Sequence, residues 1–243
     1  GLGTAAFFLF LTVKSLVASA LGGVIALVSI FMWLWQSEPA PSARLYDVGG
    51  GIKLPDHMTG SRSHSWWAMV VLLLVDATIF SCLVFAYCYF WTVSAAWPPP
   101  PFGFPDVTAT VACIASWTVS ATVLFLAHRA FGRSAPRVPL IVPIALGTAF
   151  AWIAFVLAFR ALAQTDVRPD QHAYGAVLYT LLSWQGLHVV LLTLMGGYTI
   201  ARAIAGRASA MRRNAFDNTR LMWYYAAVQS ALGCLVVHAP RMM

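Results

Sequence analysis

From Trp66 to Val93 the chain carries a single charged residue, Asp76. That run is longer than the roughly 20 residues a helix needs to cross the hydrocarbon core of a bilayer. A helix that is apolar on every side belongs either inside a large core or in lipid. The composition decides between the two: 60% of the residues are hydrophobic and only 9% charged, with mean hydropathy +0.75. A soluble domain carries about 25% charged residues. A chain this poor in charge has no means of covering a water-facing exterior, so its surface faces lipid. The expected fold class is an all-α membrane protein, one bundle of seven transmembrane helices.

Punctuation along the chain places the spans. The tail of helix 1 is expected at Leu2–Val13, which is too short to span alone. No basic stretch or small-residue cleavage site precedes it, so it does not read as a signal peptide; helix 1 is expected to be truncated here and to begin upstream. Helix 2 is expected at Leu16–Trp35. Ser37–His64, with Pro39, Pro41, Gly49-Gly50-Gly51 and Pro55, reads as a loop without regular structure. Helix 3 follows at Ser65–Val93, stopped by Trp97 and the prolines Pro98–Pro101, which lack the backbone donor. Helices 4 to 7 are expected at Val107–Phe131, Pro139–Leu162, Ala173–Ile204 and Asn218–Val237. The chain divides accordingly into residues 1–36, a cytoplasmic loop at 37–64, and a five-helix bundle at 65–243.

Charge orients the spans. The net charge of +7 sits beside apolar runs, which points to membrane orientation and lipid phosphates and not to nucleic acid. The segments flanking the ends of helices 2, 4 and 6 hold eleven basic residues, among them Arg44, Arg62, Arg133, Arg137 and Arg212, against four at the other end. The positive-inside rule then puts the start of helix 1 in the cytoplasm and the C-terminus outside. Pairs such as Trp33 and Trp35, or Trp66 and Trp67, sit at span ends, where an interfacial aromatic belt is expected.

Few residues here carry chemistry. Asp76 is the only acid well inside an expected span, and a central aspartate costs about 2.5–3.5 kcal/mol on insertion scales. It reads either as a proton or lipid site or as a carboxyl hydrogen-bonded within the bundle. His128 and Arg129 close helix 4, where a cation pair suits the helix dipole and Arg129 suits a lipid phosphate. His188, in Trp184-Gln185-Gly186-Leu187-His188, reads as a polar interhelical contact. The four cysteines, Cys82, Cys88, Cys113 and Cys234, read as small buried hydrophobes. No nucleophile motif, zinc spacing or P-loop occurs. So few internal polar groups favour an accessory subunit over a pump or carrier; a secondary transporter would show paired repeats and broken helices.

Several stretches together resemble subunit III of heme-copper (cytochrome c) oxidases. Asp76 stands where that family has an acid early in helix 3. Trp97-Pro98-Pro99 resembles its Trp-Pro-Pro loop, and Ala127-His128-Arg129 its Ala-His-His. Leu146-Gly147 with Phe150 fits helix 5. Tyr174-Gly175 and Gly186-Leu187-His188-Val189 resemble its Tyr-Gly and His-Gly-Leu-His-Val, and Trp223-Tyr224-Tyr225 its Trp-Tyr-Trp-His. The chain departs from the pattern at Arg129, Leu157, Gln185, Ala226 and Gln229, where the family has titratable side chains. Residues 49–69, through Leu54-Pro55, Thr59-Gly60 and Ser65-Trp66-Trp67, are most similar to chains in which subunits I and III are fused. The resemblance implies two helices and five helices around a lipid-filled cleft in a bacterial-type inner membrane. It implies lipid-binding or proton-related roles for Asp76, His128, Arg129, Trp33, Trp35 and His188, bound phospholipid, no metal or other cofactor held by this chain, and haem and copper in a partner subunit I, fused upstream or separate, beside subunit II. A subunit III-like partner of nitric oxide reductase or of a quinol oxidase is the alternative within the same superfamily.

Overall fold

A computed structural model describes residues 2–37, 45–55, 63–131, 138–208 and 213–241. Arg44, Arg62, Arg133, Arg137 and Arg212 of the orientation count, and Thr59-Gly60 of the resemblance, lie outside the described residues. The chain separates into two compact units, Gly1–Met58 and Thr59–Met243.

The first unit holds α1 (Leu2–Thr12) and α2 (Leu16–Ser37), packed against each other. Their backbones touch where side chains are missing. A Cβ on Gly3 would stand 2.7 Å from the amide nitrogen of Ala26, and one on Gly22 would stand 2.7 Å from that of Phe7. Close approach at small residues is what joins helices in lipid, where burying leucine gains little. The segment expected to lack structure contains a short hairpin instead. Strand β1 (Leu45–Asp47) pairs antiparallel with β2 (Lys53–Pro55). Gly49, Gly50 and Gly51 take positive φ in the turn, and the Gly49 amide donates to Asp47 Oδ1 at 2.9 Å. The glycines that suggested a loop are the ones that let the strands reverse.

The second unit consists of α3 (His64–Val93), α4 (Val107–Phe131), α5 (Val138–Ala163), α6 (Ala173–Ile204) and α7 (Asn214–His238), with a closing 3₁₀ turn at Ala239–Arg241. Helix α5 packs on α4 and α6, and α7 on α6, α4 and α3. Trp117, Leu124, Ile144, Leu192 and Trp223 fill the core. Gly147 leaves the space into which Leu124 and Trp223 press, and a Cβ on Gly196 would meet Ile144 Cγ2 at 2.9 Å. The outer faces are apolar and uncovered: Val71, Leu72, Leu74, Val75 and Phe85 of α3 are each more than half exposed. Such a surface is stable in lipid and not in water. Among the described residues six helices are long and apolar enough to cross a membrane, and the protein is a multi-pass membrane protein.

Helices α4 and α6 have the expected bounds, while α7 starts four residues earlier than expected. Its first turn mixes Asn214 and Asp217 with Ala215 and Phe216, which hides it from a hydropathy reading. There the Arg213 guanidinium bonds Asp217 through Nε at 2.7 Å and Nη2 at 3.0 Å.

Candidate functional site

Three intramembrane polar side chains from three helices meet at one point. Asp76 sits near the middle of α3, His188 at the middle of α6 and Tyr225 at the middle of α7. The Tyr225 hydroxyl donates to Asp76 Oδ2 at 2.6 Å, and His188 Nε2 meets the same oxygen at 3.1 Å. His188 is sealed, its side chain 1% exposed, whereas that of Asp76 is 19% exposed. The remaining imidazole nitrogen, Nδ1, lies 2.7 Å from the Trp184 carbonyl.

That last contact fixes the proton inventory. A carbonyl oxygen only accepts, so Nδ1 carries a hydrogen. With Nδ1 protonated, the Nε2–Oδ2 contact is a hydrogen bond only if one more proton lies on one of the two atoms. Either a neutral carboxyl donates to a neutral imidazole, or an imidazolium donates to a carboxylate. Both arrangements have zero net charge, which is what a low-dielectric site tolerates. The site is thus a proton-holding pair steadied by a phenol. Interhelical hydrogen bonds of this kind are worth about 0.6–2 kcal/mol each in lipid.

Asp76 and His188 are therefore brought together. Tyr225 completes the site and was not singled out from sequence, because a tyrosine on a buried helix looks like any other core aromatic. The signal was available as the polar tip of a residue three helical turns into an intramembrane run.

His128 and Arg129 form a second, separate group. His128 Nδ1 accepts from Arg213 Nη2 at 3.1 Å. An imidazole that accepts is neutral, which corrects the cation pair expected at the end of α4. The charge there comes from α7: Asp217, 3% exposed, is shared by Arg213 and Arg220, the latter at 3.7 Å. Arg129 is exposed at the α4 terminus, with its guanidinium 4.8 Å over the Phe125 ring. Trp33 and Trp35 belong to the first unit. Trp33 is exposed, and Trp35 stacks on Phe31 with ring centroids 5.6 Å apart.

A third group closes the opposite end of the five-helix unit. Trp97 Nε1 donates to the Tyr87 hydroxyl at 3.1 Å, and that hydroxyl donates to the Val237 carbonyl at 2.8 Å. The Trp97 ring stands edge-on to Tyr174 at 4.9 Å, and the Tyr174 hydroxyl donates to the Gly103 carbonyl at 3.0 Å. This aromatic node ties the proline segment to α3, α6 and α7. Among the described residues no three His, Cys, Asp or Glu side chains gather closely enough to hold a metal ion.

No protein-family model matches this sequence.

Proposed function

We propose that the chain is the accessory, non-redox subunit III, or subunit III domain, of a proton-pumping heme-copper oxidase that passes electrons from cytochrome c to O2. On this reading it flanks the catalytic subunit, holds phospholipid and sustains proton uptake during turnover, while haem and copper stay in the partner.

The observation that carries the proposal is convergence. The resemblance rests on stretches scattered from α3 to α7. Residues from three of them, Asp76, His188 and Tyr225, share one carboxylate oxygen. Trp97, from the Trp-Pro-Pro stretch, packs on Tyr174, from the Tyr-Gly stretch. Gly147, from one more, leaves the space that Trp223, from the same stretch as Tyr225, fills. Motifs that are individually weak gain force when their residues meet in space. The exposed Arg129 beside an apolar surface supports a lipid-phosphate contact.

The test is to tag this chain, extract its assembly in mild detergent and record an optical spectrum and O2 consumption. The proposal predicts a haem Soret band and cytochrome c oxidation in the assembly, and no Soret band in the separated chain. It also predicts that Asp76→Asn leaves haem content unchanged and shortens the lifetime of turnover. A chain that purifies without a haem partner and moves solute across liposomes refutes it. Reduction of nitric oxide in place of O2 would move the chain to a different complex.

A further inference from the structure

Between the Asp76–His188 pair and the end of the bundle that carries residues 94–106, the second unit holds a partly open cavity of about 80 Å³. That exceeds the roughly 15 Å³ a cavity needs to admit one water molecule. Most of its wall is apolar, but three of the residues that line it each carry a buried polar atom with no hydrogen-bond partner among the described residues: Trp184 Nε1, Gln229 Nε2 and His238 Nδ1. Gln229 is 5% exposed, so its amide has no other outlet. Buried polar groups in a membrane are satisfied by protein or by trapped water.

The position of the cavity relative to the proton-holding pair follows from helical spacing. Phe80 lies four residues beyond Asp76 on α3, Trp184 four before His188 on α6, and Gln229 four beyond Tyr225 on α7. Each line the cavity, and each step leads toward the 94–106 end. The cavity floor is therefore one helical turn, about 6 Å along the axis, from the pair. At its other end His238 Nε2 bonds Thr110 Oγ1 at 2.9 Å. A second, more polar hollow of about 350 Å³ begins there, sharing Pro105 and Ala161 with the first and holding Asp106 and Arg241.

We propose that this cavity holds bound water and that the Asp76–His188 pair exchanges its proton with the 94–106 end of the bundle through it. The water satisfies the amide of Gln229, the indole of Trp184 and the free nitrogen of His238. It makes the half of the unit beyond Asp76 proton-permeable, while the helix ends near His128 have no part in the route. The proposal stands independently of the oxidase reading, since it needs only the five-helix unit in lipid.

Gly233 offers a way to close the route. A Cβ there would meet nothing nearer than Phe80 at 3.9 Å, so a larger side chain enters the cavity without forcing the backbone. Infrared bands of the pair, identified by their loss in Asp76→Asn, are followed after transfer of membranes to D2O. Wild type and Gly233→Ala should exchange alike, and Gly233→Val should exchange about tenfold more slowly or worse, because exchange then needs local opening. Equal rates in wild type and Gly233→Val overturn the proposal. A second measurement needs no cavity-filling variant. In a Cys82→Ala/Cys88→Ala chain, Ag⁺ supplied on the 94–106 side should replace the thiol protons of Cys113 and Cys234, which line the cavity. Ag⁺ supplied on the other side should not. Unreactive thiols from both sides would mean that the cavity is dry.

Discussion

Helices α3 and α6 are of similar length, 30 and 32 residues, yet they are held in the bundle by different means. Thirteen residues of α6 are buried, including Gly196 at its contact with α5. On α3 only Leu73 and Tyr87 are buried. Helix α6 is fixed by packing, and α3 by a few polar ties: Asp76 to His188 and Tyr225, and Tyr87 to Trp97 and Val237. In lipid, moving leucine from tails to protein gains little, so helices associate through close packing or hydrogen bonds. The two helices show that one bundle uses both. The helix with less packing carries the only acid among the central residues of the described helices.

That contrast yields predictions of decreasing size. Gly147→Leu strikes the packed side, driving a side chain into Leu124 and Trp223, and should cost about 3 kcal/mol in detergent-unfolding measurements. Asp76→Ala strikes the polar side. It strands His188 Nε2 and the Tyr225 hydroxyl together and should cost about 2 kcal/mol. Proteolysis or cysteine-accessibility mapping should find α3 loosened while α4 to α6 stay protected; uniform loosening would erase the distinction between the two helices. Trp97→Phe keeps the ring against Tyr174 but loses the donor to Tyr87, and should cost about 1 kcal/mol. Arg213→Lys replaces the two-pronged bond to Asp217 with a single one and should cost about 0.5 kcal/mol, read as earlier fraying of α7 in hydrogen exchange.

The helices were legible in the sequence because lipid demands long uncharged runs, and the prolines after Val93 end one of them sharply. Two features escaped for opposite reasons. The start of α7 mixes Asn214 and Asp217 with Ala215 and Phe216, and the Arg213–Asp217 bond that accompanies that turn is something hydropathy does not register. The hairpin at Leu45–Pro55 rests on backbone pairing that glycines both permit and disguise. For the site, Asp76 was marked by its isolation and His188 by its place inside a span. Their meeting was not legible, since 112 residues separate them and no local period links one helix to another. Tyr225 was marked only by a polar tip deep inside an intramembrane run, which a core tyrosine also shows. His128 was legible as a helix-end residue, but its neutral state depends on Arg213, brought by another helix.

The central claim is that α3 docks through the hydrogen bond between Asp76 and His188. A double-mutant cycle on Asp76→Ala and His188→Phe, with unfolding followed in lipid-detergent mixtures, tests it most directly. The account predicts a coupling of about 1 kcal/mol between the two sites. Costs that add to within about 0.3 kcal/mol, the scatter of independent sites, would contradict it.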